Sequence, residues 1–80
     1  MAAPPPNTLA ALAPGATAVI KSFFSDDSSF MRFRELGLLP GTQVKVIRRA
    51  PLGDPIEISV RGSLLSVRDH EARFIEIETL

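Results

Sequence analysis

Cysteine, tryptophan and tyrosine are absent from this 80-residue chain, and histidine occurs once. Without cysteine, neither a disulfide framework nor a thiolate metal site can hold so short a fold together, and a reducing cytoplasm is the expected setting. His70 is the sole side chain with an ordinary pKa near neutrality, which leaves acid–base chemistry a single candidate. Combining it with Asp69 and a serine would require adjacent residues to converge on one substrate atom, so no catalytic residue is assigned and the chain is read as a non-enzyme. Zinc or ferrous sites draw on several His or Cys ligands. His70 beside Asp69 and Glu71 is a weak metal candidate, and a surface histidine at a turn is the better reading. No cofactor is implied.

An excess of either charge is also missing: nine Lys/Arg balance nine Asp/Glu. Nucleic acid, whose phosphates must be neutralised, is therefore not the expected partner. No apolar run approaches the roughly 20 residues of a membrane helix, so direct membrane insertion is not expected. The opening Met1-Ala2-Ala3-Pro4-Pro5-Pro6 carries no basic residue and Pro14 interrupts the alanine-rich stretch, which does not fit a secretory signal.

What remains is 45% hydrophobic and 22% charged, too apolar for a disordered tail. A chain of this size buries about 60% of its unfolded surface, enough for one compact domain. Residues 1–7 read as a flexible Pro-rich extension and residues 8–80 as the domain. Thr8 to Leu12 suits one helical turn capped by Asn7 or Thr8, with Leu9 and Leu12 on one side. Pro14-Gly15 turns into a first strand, Ala16 to Phe23. Ser25 to Ser29, with Asp26-Asp27, offers capping oxygens and negative charge for a helix over Phe30 to Leu36, which Gly37 ends in a Schellman motif that brings Leu38 back onto Phe33.

Pro40-Gly41 opens a second strand, Thr42 to Arg49, in which Val44 and Val46 alternate with Gln43 and Lys45. Ala50 to Pro55 is a loop. Ile56, Ile58 and Val60 alternate with Glu57, Ser59 and Arg61, and Gly62-Ser63 separates them from Leu65 and Val67 as a tight hairpin. Asp69 to Arg73 suits a single 3₁₀ turn before a last strand, Phe74 to Glu78. Five short strands cannot bury both faces of a flat sheet and should curl into a small barrel of two orthogonal sheets. Phe30, Phe33 and Phe74 fall at core positions.

Binding surfaces are read from what protrudes. Lys45, Arg48 and Arg49 could serve a nucleic-acid groove, but a charged edge strand explains them as well, and the five aromatics are all phenylalanines without platform positions. The absence of Tyr and Trp argues against a groove for proline-rich peptides. The loop Ala50-Pro51-Leu52-Gly53-Asp54-Pro55 is longer than a hairpin needs, and its prolines would preset an exposed Leu52 at little entropic cost on binding. Pro51 and Leu52 are therefore candidate partner-binding residues. Met31, Arg32 and Arg34, on the outward side of the helix, are the second candidate surface.

The run Leu36-Gly37-Leu38-Leu39-Pro40-Gly41, Val44, Val46, then Arg49 to Ile58, Val60-Arg61-Gly62, Leu65 to Arg68, Glu71-Ala72 and Ile75-Glu76-Ile77 resembles the FeoA family of bacterial ferrous iron transport proteins. The resemblance covers residues 8 to 79. It implies a mainly β, SH3-like five-stranded barrel with one short helix after the first strand and a short N-terminal helical turn. Gly37, Pro40, Gly41, Gly53 and Gly62 would be its structural turn positions. It also implies a cytoplasmic accessory or regulatory protein of ferrous iron uptake that binds FeoB, the GTPase-bearing membrane transporter, and so sits peripherally at the inner membrane. A similar barrel occurs in some iron-dependent repressors, so an autonomous docking domain for another partner is the alternative, and a nucleic-acid-binding barrel comes third. An open barrel edge could pair two copies, although charged strand residues argue against it, and oligomeric state is left open.

Overall fold

The computed structural model describes residues 6–24 and 30–80. A 3₁₀ turn at Leu9–Ala11 leads to β1 (Thr17–Phe23), α1 (Met31–Glu35), β2 (Gln43–Arg49), β3 (Ile56–Val60), β4 (Ser63–Val67), α2 (Asp69–Ala72) and β5 (Ile75–Thr79). The fold is mainly β, and its five strands form one antiparallel sheet in the order β4-β3-β2-β1-β5. Hydrogen bonds do not close the sheet between β4 and β5. Two register shifts, between Ile20 and Ser22 in β1 and between Val46 and Arg48 in β2, mark bulges, which bend and twist a strand and so help the sheet wrap its core.

Alternation builds that core. Ala18 and Ile20, Val44 and Val46, Ile56, Ile58 and Val60, and Ile75 and Ile77 all point inward and are buried with Leu9, Phe33, Leu38 and Val67. Each such Val, Ile, Leu or Phe side chain contributes about 1.5–3 kcal/mol by leaving water. The N-terminal turn packs against α2 and β5. Thr8 bridges to Glu76, and the Ile77 N–H donates to the Asn7 carbonyl at 2.8 Å, so the N-terminal segment covers the outer edge of β5.

The end of α1 has the expected geometry. Gly37 has φ 101°, the Leu38 N–H donates to the Phe33 carbonyl at 2.9 Å, and the Gly37 N–H donates to the Arg34 carbonyl at 3.1 Å. This is the paired bonding of a Schellman motif, and it drives Leu38 into the core beside Phe33. The proposed Ser25–Ser29 cap lies outside the described residues, as does most of the Pro-rich start.

Three expectations are corrected. The β3–β4 turn is Arg61-Gly62 rather than Gly62-Ser63: both have positive φ, 52° and 82°, the signature of a type I′ turn, and Ser63 already pairs with Val60. Asp69–Ala72 is a short α-helix rather than a 3₁₀ turn; its Ala72 and Arg73 N–H groups reach back four residues, to Arg68 and Asp69. Phe74 is 47% exposed, because it precedes β5 and its ring reaches only the rim of the cluster, 6.4 Å from that of Phe30.

Candidate docking surface

The loop between β2 and β3 is a bonded turn. Its Gly53 N–H donates to the Ala50 carbonyl at 2.7 Å, and its base is closed by the Ala50 N–H donating to the Pro55 carbonyl at 3.0 Å. Pro51 stands at the first central position, where its fixed φ suits the turn, and Leu52 at the second. Leu52 is 96% exposed, the extreme among the large apolar side chains of the described residues. The far side of the loop is tied to α2: Asp54 accepts the Asp69 N–H at 2.8 Å and lies 3.7 Å from the Arg68 guanidinium. Asp54 thus takes an otherwise orphaned N–H at the start of α2.

Behind the loop lies a shallow depression lined by Ala10 to Ala13, Arg49, Leu52, Gly53, Asp54, Asp69 and Arg73. Arg49 forms its floor. Its guanidinium donates to the Ala10 carbonyl and, at 3.1 Å, to the Leu12 carbonyl, and it stands 3.9 Å from Asp69. Asp69 also accepts from Arg73 at 2.8 Å. The loop, the N-terminal turn and α2 are therefore held together by the side chains of Arg49, Asp54 and Asp69.

The sequence offers Arg49 only as a groove cation and Asp69 only as a neighbour of His70, and it assigns Asp54 no role of its own; the tether they form is visible only in the fold. The signal for Arg49 was the broken alternation at Val46-Ile47-Arg48-Arg49: the bulge at Ile47 resets the strand's phase, putting Arg49 opposite buried Ile56 and leaving Arg48 on the outer face opposite Glu57. Arg48 donates to Glu57 at 2.9 and 3.3 Å. That hydrogen bond, more than the bare attraction between the charges, lowers the Glu57 pKa and raises that of Arg48. Of the basic run considered for nucleic acid, Arg48 and Arg49 are both committed to partners within the chain.

The second candidate surface is divided. Met31 is 55% exposed, whereas Arg32 lies over the Phe33 ring at 4.6 Å and 3.6 Å from Glu71, and Arg34 lies over the Phe23 ring at 5.4 Å. Both arginines rest on aromatic faces, a contact worth about 0.5–1 kcal/mol at exposed sites. The Arg32–Glu71 pair links α1 to α2, so the two candidate surfaces flank the same helix without the structure bringing Leu52 and Met31 together.

His70 is exposed on α2 between Asp69, which faces Arg49 and Arg73, and Glu71, which faces Arg32 and accepts the Arg68 N–H at 3.0 Å. Among the described residues no group of three His, Cys, Asp or Glu side chains could hold a metal ion, and no helix is long and apolar enough to cross a membrane. Gly37, Pro40, Gly41, Gly53 and Gly62 all lie at turns or bends of the chain.

Fold and surface together define a small SH3-like β module that presents one tethered apolar loop. The FeoA domain family model matches residues 7–79, and the chain belongs to the FeoA family. The solution structure of the FeoA protein of Chlorobium tepidum is 40% identical, superimposes with a TM-score of 0.86, and is matched over 91% of this chain and 70% of its own. Iron(II) transport protein A of Clostridium thermocellum is 32% identical with a TM-score of 0.86, over 91% of this chain and 45% of its own. The zinc-complexed FeoA of Stenotrophomonas maltophilia, described as a prokaryotic SH3 domain protein and a candidate ferrous iron transport activating factor, is 28% identical with a TM-score of 0.77, over 89% and 88%. A manganese-dependent transcriptional repressor, 22% identical with a TM-score of 0.82 over 95% of this chain and 38% of its own, shares the fold.

Proposed function

We propose that this chain is a non-enzymatic accessory protein of ferrous iron uptake that binds the FeoB transporter through the Ala50–Pro55 loop, with Leu52 as the anchor. Family membership supports the iron-transport role, and the tethered, 96%-exposed Leu52 supports the docking face. A loop whose backbone is held by a turn and by Asp54 has little backbone entropy left to lose, so burying Leu52 against a partner costs mainly the ordering of its own side chain. Pro51 sets the turn. Met31, Arg32 and Arg34 on α1 provide a neighbouring contact, and the chain works in the cytoplasm, at the inner membrane through its partner. Its leverage on transport is differential affinity: binding one conformation of FeoB better than another shifts the transporter toward that state.

Amide chemical-shift titration with the soluble cytoplasmic domain of FeoB, with and without guanine nucleotide, tests the reading. Shifts clustered on residues 50–55 are expected, and Leu52→Asp should abolish them and impair ferrous uptake. Normal uptake by a folded Leu52→Asp protein would remove the loop from the docking face. Recovery of a metal-dependent repressor instead of FeoB with the tagged chain would favour the regulatory alternative that the shared fold suggests.

A further inference from the structure

The two edges of the sheet are treated differently. Asn7 and Thr8 cover the outer edge of β5, whereas among the described residues nothing pairs with the outer edge of β4. The type I′ turn makes Val60 and Ser63 a hydrogen-bonded pair, so the alternation of an antiparallel ladder turns the backbone groups of Leu64 and Ser66 away from β3. Bare edges are ordinarily guarded by charge, and every other strand of this sheet carries a charged residue: Lys21, Lys45, Glu57 and Glu76 are examples. The β4 sequence Ser63-Leu64-Leu65-Ser66-Val67 carries none, and its Leu64 is 68% exposed. The charged strand residues that argue against edge pairing therefore lie elsewhere in the sheet.

We infer that β4 is a self-association edge, pairing antiparallel with β4 of a second copy about a two-fold axis at Leu65. Only this register pairs the two outward-facing residues with each other: Leu64 of each copy exchanges its backbone hydrogen bonds with Ser66 of the other, and Leu65 meets Leu65 on the axis. Sliding the strands toward the C-terminus would call on the Arg68 N–H, which is already given to Glu71 at 3.0 Å. Sliding them toward the turn would set Leu64 against its own copy and Ser66 against Gly62. The symmetric register also places no like charges opposite each other, since Arg68 falls opposite Gly62 and Arg61 opposite Asp69. A second copy fits better than a charged peptide, because the edge offers no side-chain charge to select one.

The test is sedimentation equilibrium and amide shift mapping of the full chain between about 10 μM and 1 mM, the range suited to so small an interface. Expected are concentration-dependent dimerisation, shifts and slowed exchange at the Leu64 and Ser66 amides, and association at least tenfold weaker in Leu64→Lys, whose side chain is already in solvent. Ser66→Pro removes the outward donor without touching the β3 ladder and should also leave a monomer. A chain that stays monomeric at about 1 mM, or one that dimerises with shifts elsewhere and unchanged strength in Leu64→Lys, overturns the inference. Shifts at Leu64 and Ser66 that appear only when the FeoB domain is added would likewise overturn it, giving the edge to another chain.

Discussion

Two glycine corners of this molecule send a neighbouring leucine in opposite directions, Leu38 after Gly37 and Leu52 before Gly53. At the end of α1, Gly37 has φ 101° and Leu38 is wholly buried; in the loop before β3, Gly53 has φ 88° and Leu52 is almost wholly exposed. The backbone bond each leucine's segment makes decides the difference. The Leu38 N–H is pinned to the Phe33 carbonyl, folding its side chain back over the helix and into the core. Leu52 is the second central residue of a turn closed between Ala50 and Gly53, with no element above it. One corner stabilises the fold and the other displays a residue on it.

The largest expected effect that separates the two corners is Leu38→Ala. Truncating a fully buried leucine should cost about 2–5 kcal/mol in chemical denaturation, because the rigid cluster around Phe33 cannot collapse into the space. A loss below 1 kcal/mol would mean that the first corner is not structural. Next comes Arg49→Ala, which leaves the carbonyls of Ala10 and Leu12 without their donor and frees the floor under the second corner. About 1–3 kcal/mol is expected, together with faster amide exchange across residues 9–12.

Gly37→Ala should cost about 1–2 kcal/mol, the penalty of forcing a Cβ into the left-handed region. Space is not the obstacle, since the added carbon would meet the Arg61 Cδ at 3.5 Å, an ordinary contact. Leu52→Asp should change stability by no more than about 0.5 kcal/mol while abolishing partner binding, the combination that would complete the contrast.

The smallest effect is electrostatic. The Glu57 carboxyl is lowered in the fold by the hydrogen bond from Arg48, so its contribution is present above the unfolded carboxylate pKa of about 4.3 and is lost as pH falls through the lower folded value. Thermal melts of Glu57→Gln and the parent chain should differ at neutral pH and converge in acid. A difference that persists in acid would assign the effect to packing along β3.

The strands, the helix after β1, the stop at Gly37 and the exposure of Leu52 were all legible in the order of residues. Each depends on neighbours a few positions away: period-two alternation, a glycine after an apolar turn, prolines bracketing a leucine. The turn at Arg61-Gly62 was misread by one residue because glycine alone does not say which of its neighbours shares the positive φ. Phe74 looked buried because its apolar character is visible in the chain while its place at the rim is not.

By itself, then, the sequence determined the mainly β class, the FeoA resemblance and the candidate loop, since local periodicity and turn chemistry are properties of short segments. Only the tertiary structure decided that Arg48 and Arg49, neighbours in one strand, serve opposite purposes, one on the surface with Glu57 and the other beneath the N-terminal turn. It alone showed that Asp54 holds the loop to α2, and that among the described residues one sheet edge is covered while the other is bare. Those are contacts between residues from 9 to 70 positions apart, and a bulge of a single residue decides which of the two arginines faces which partner.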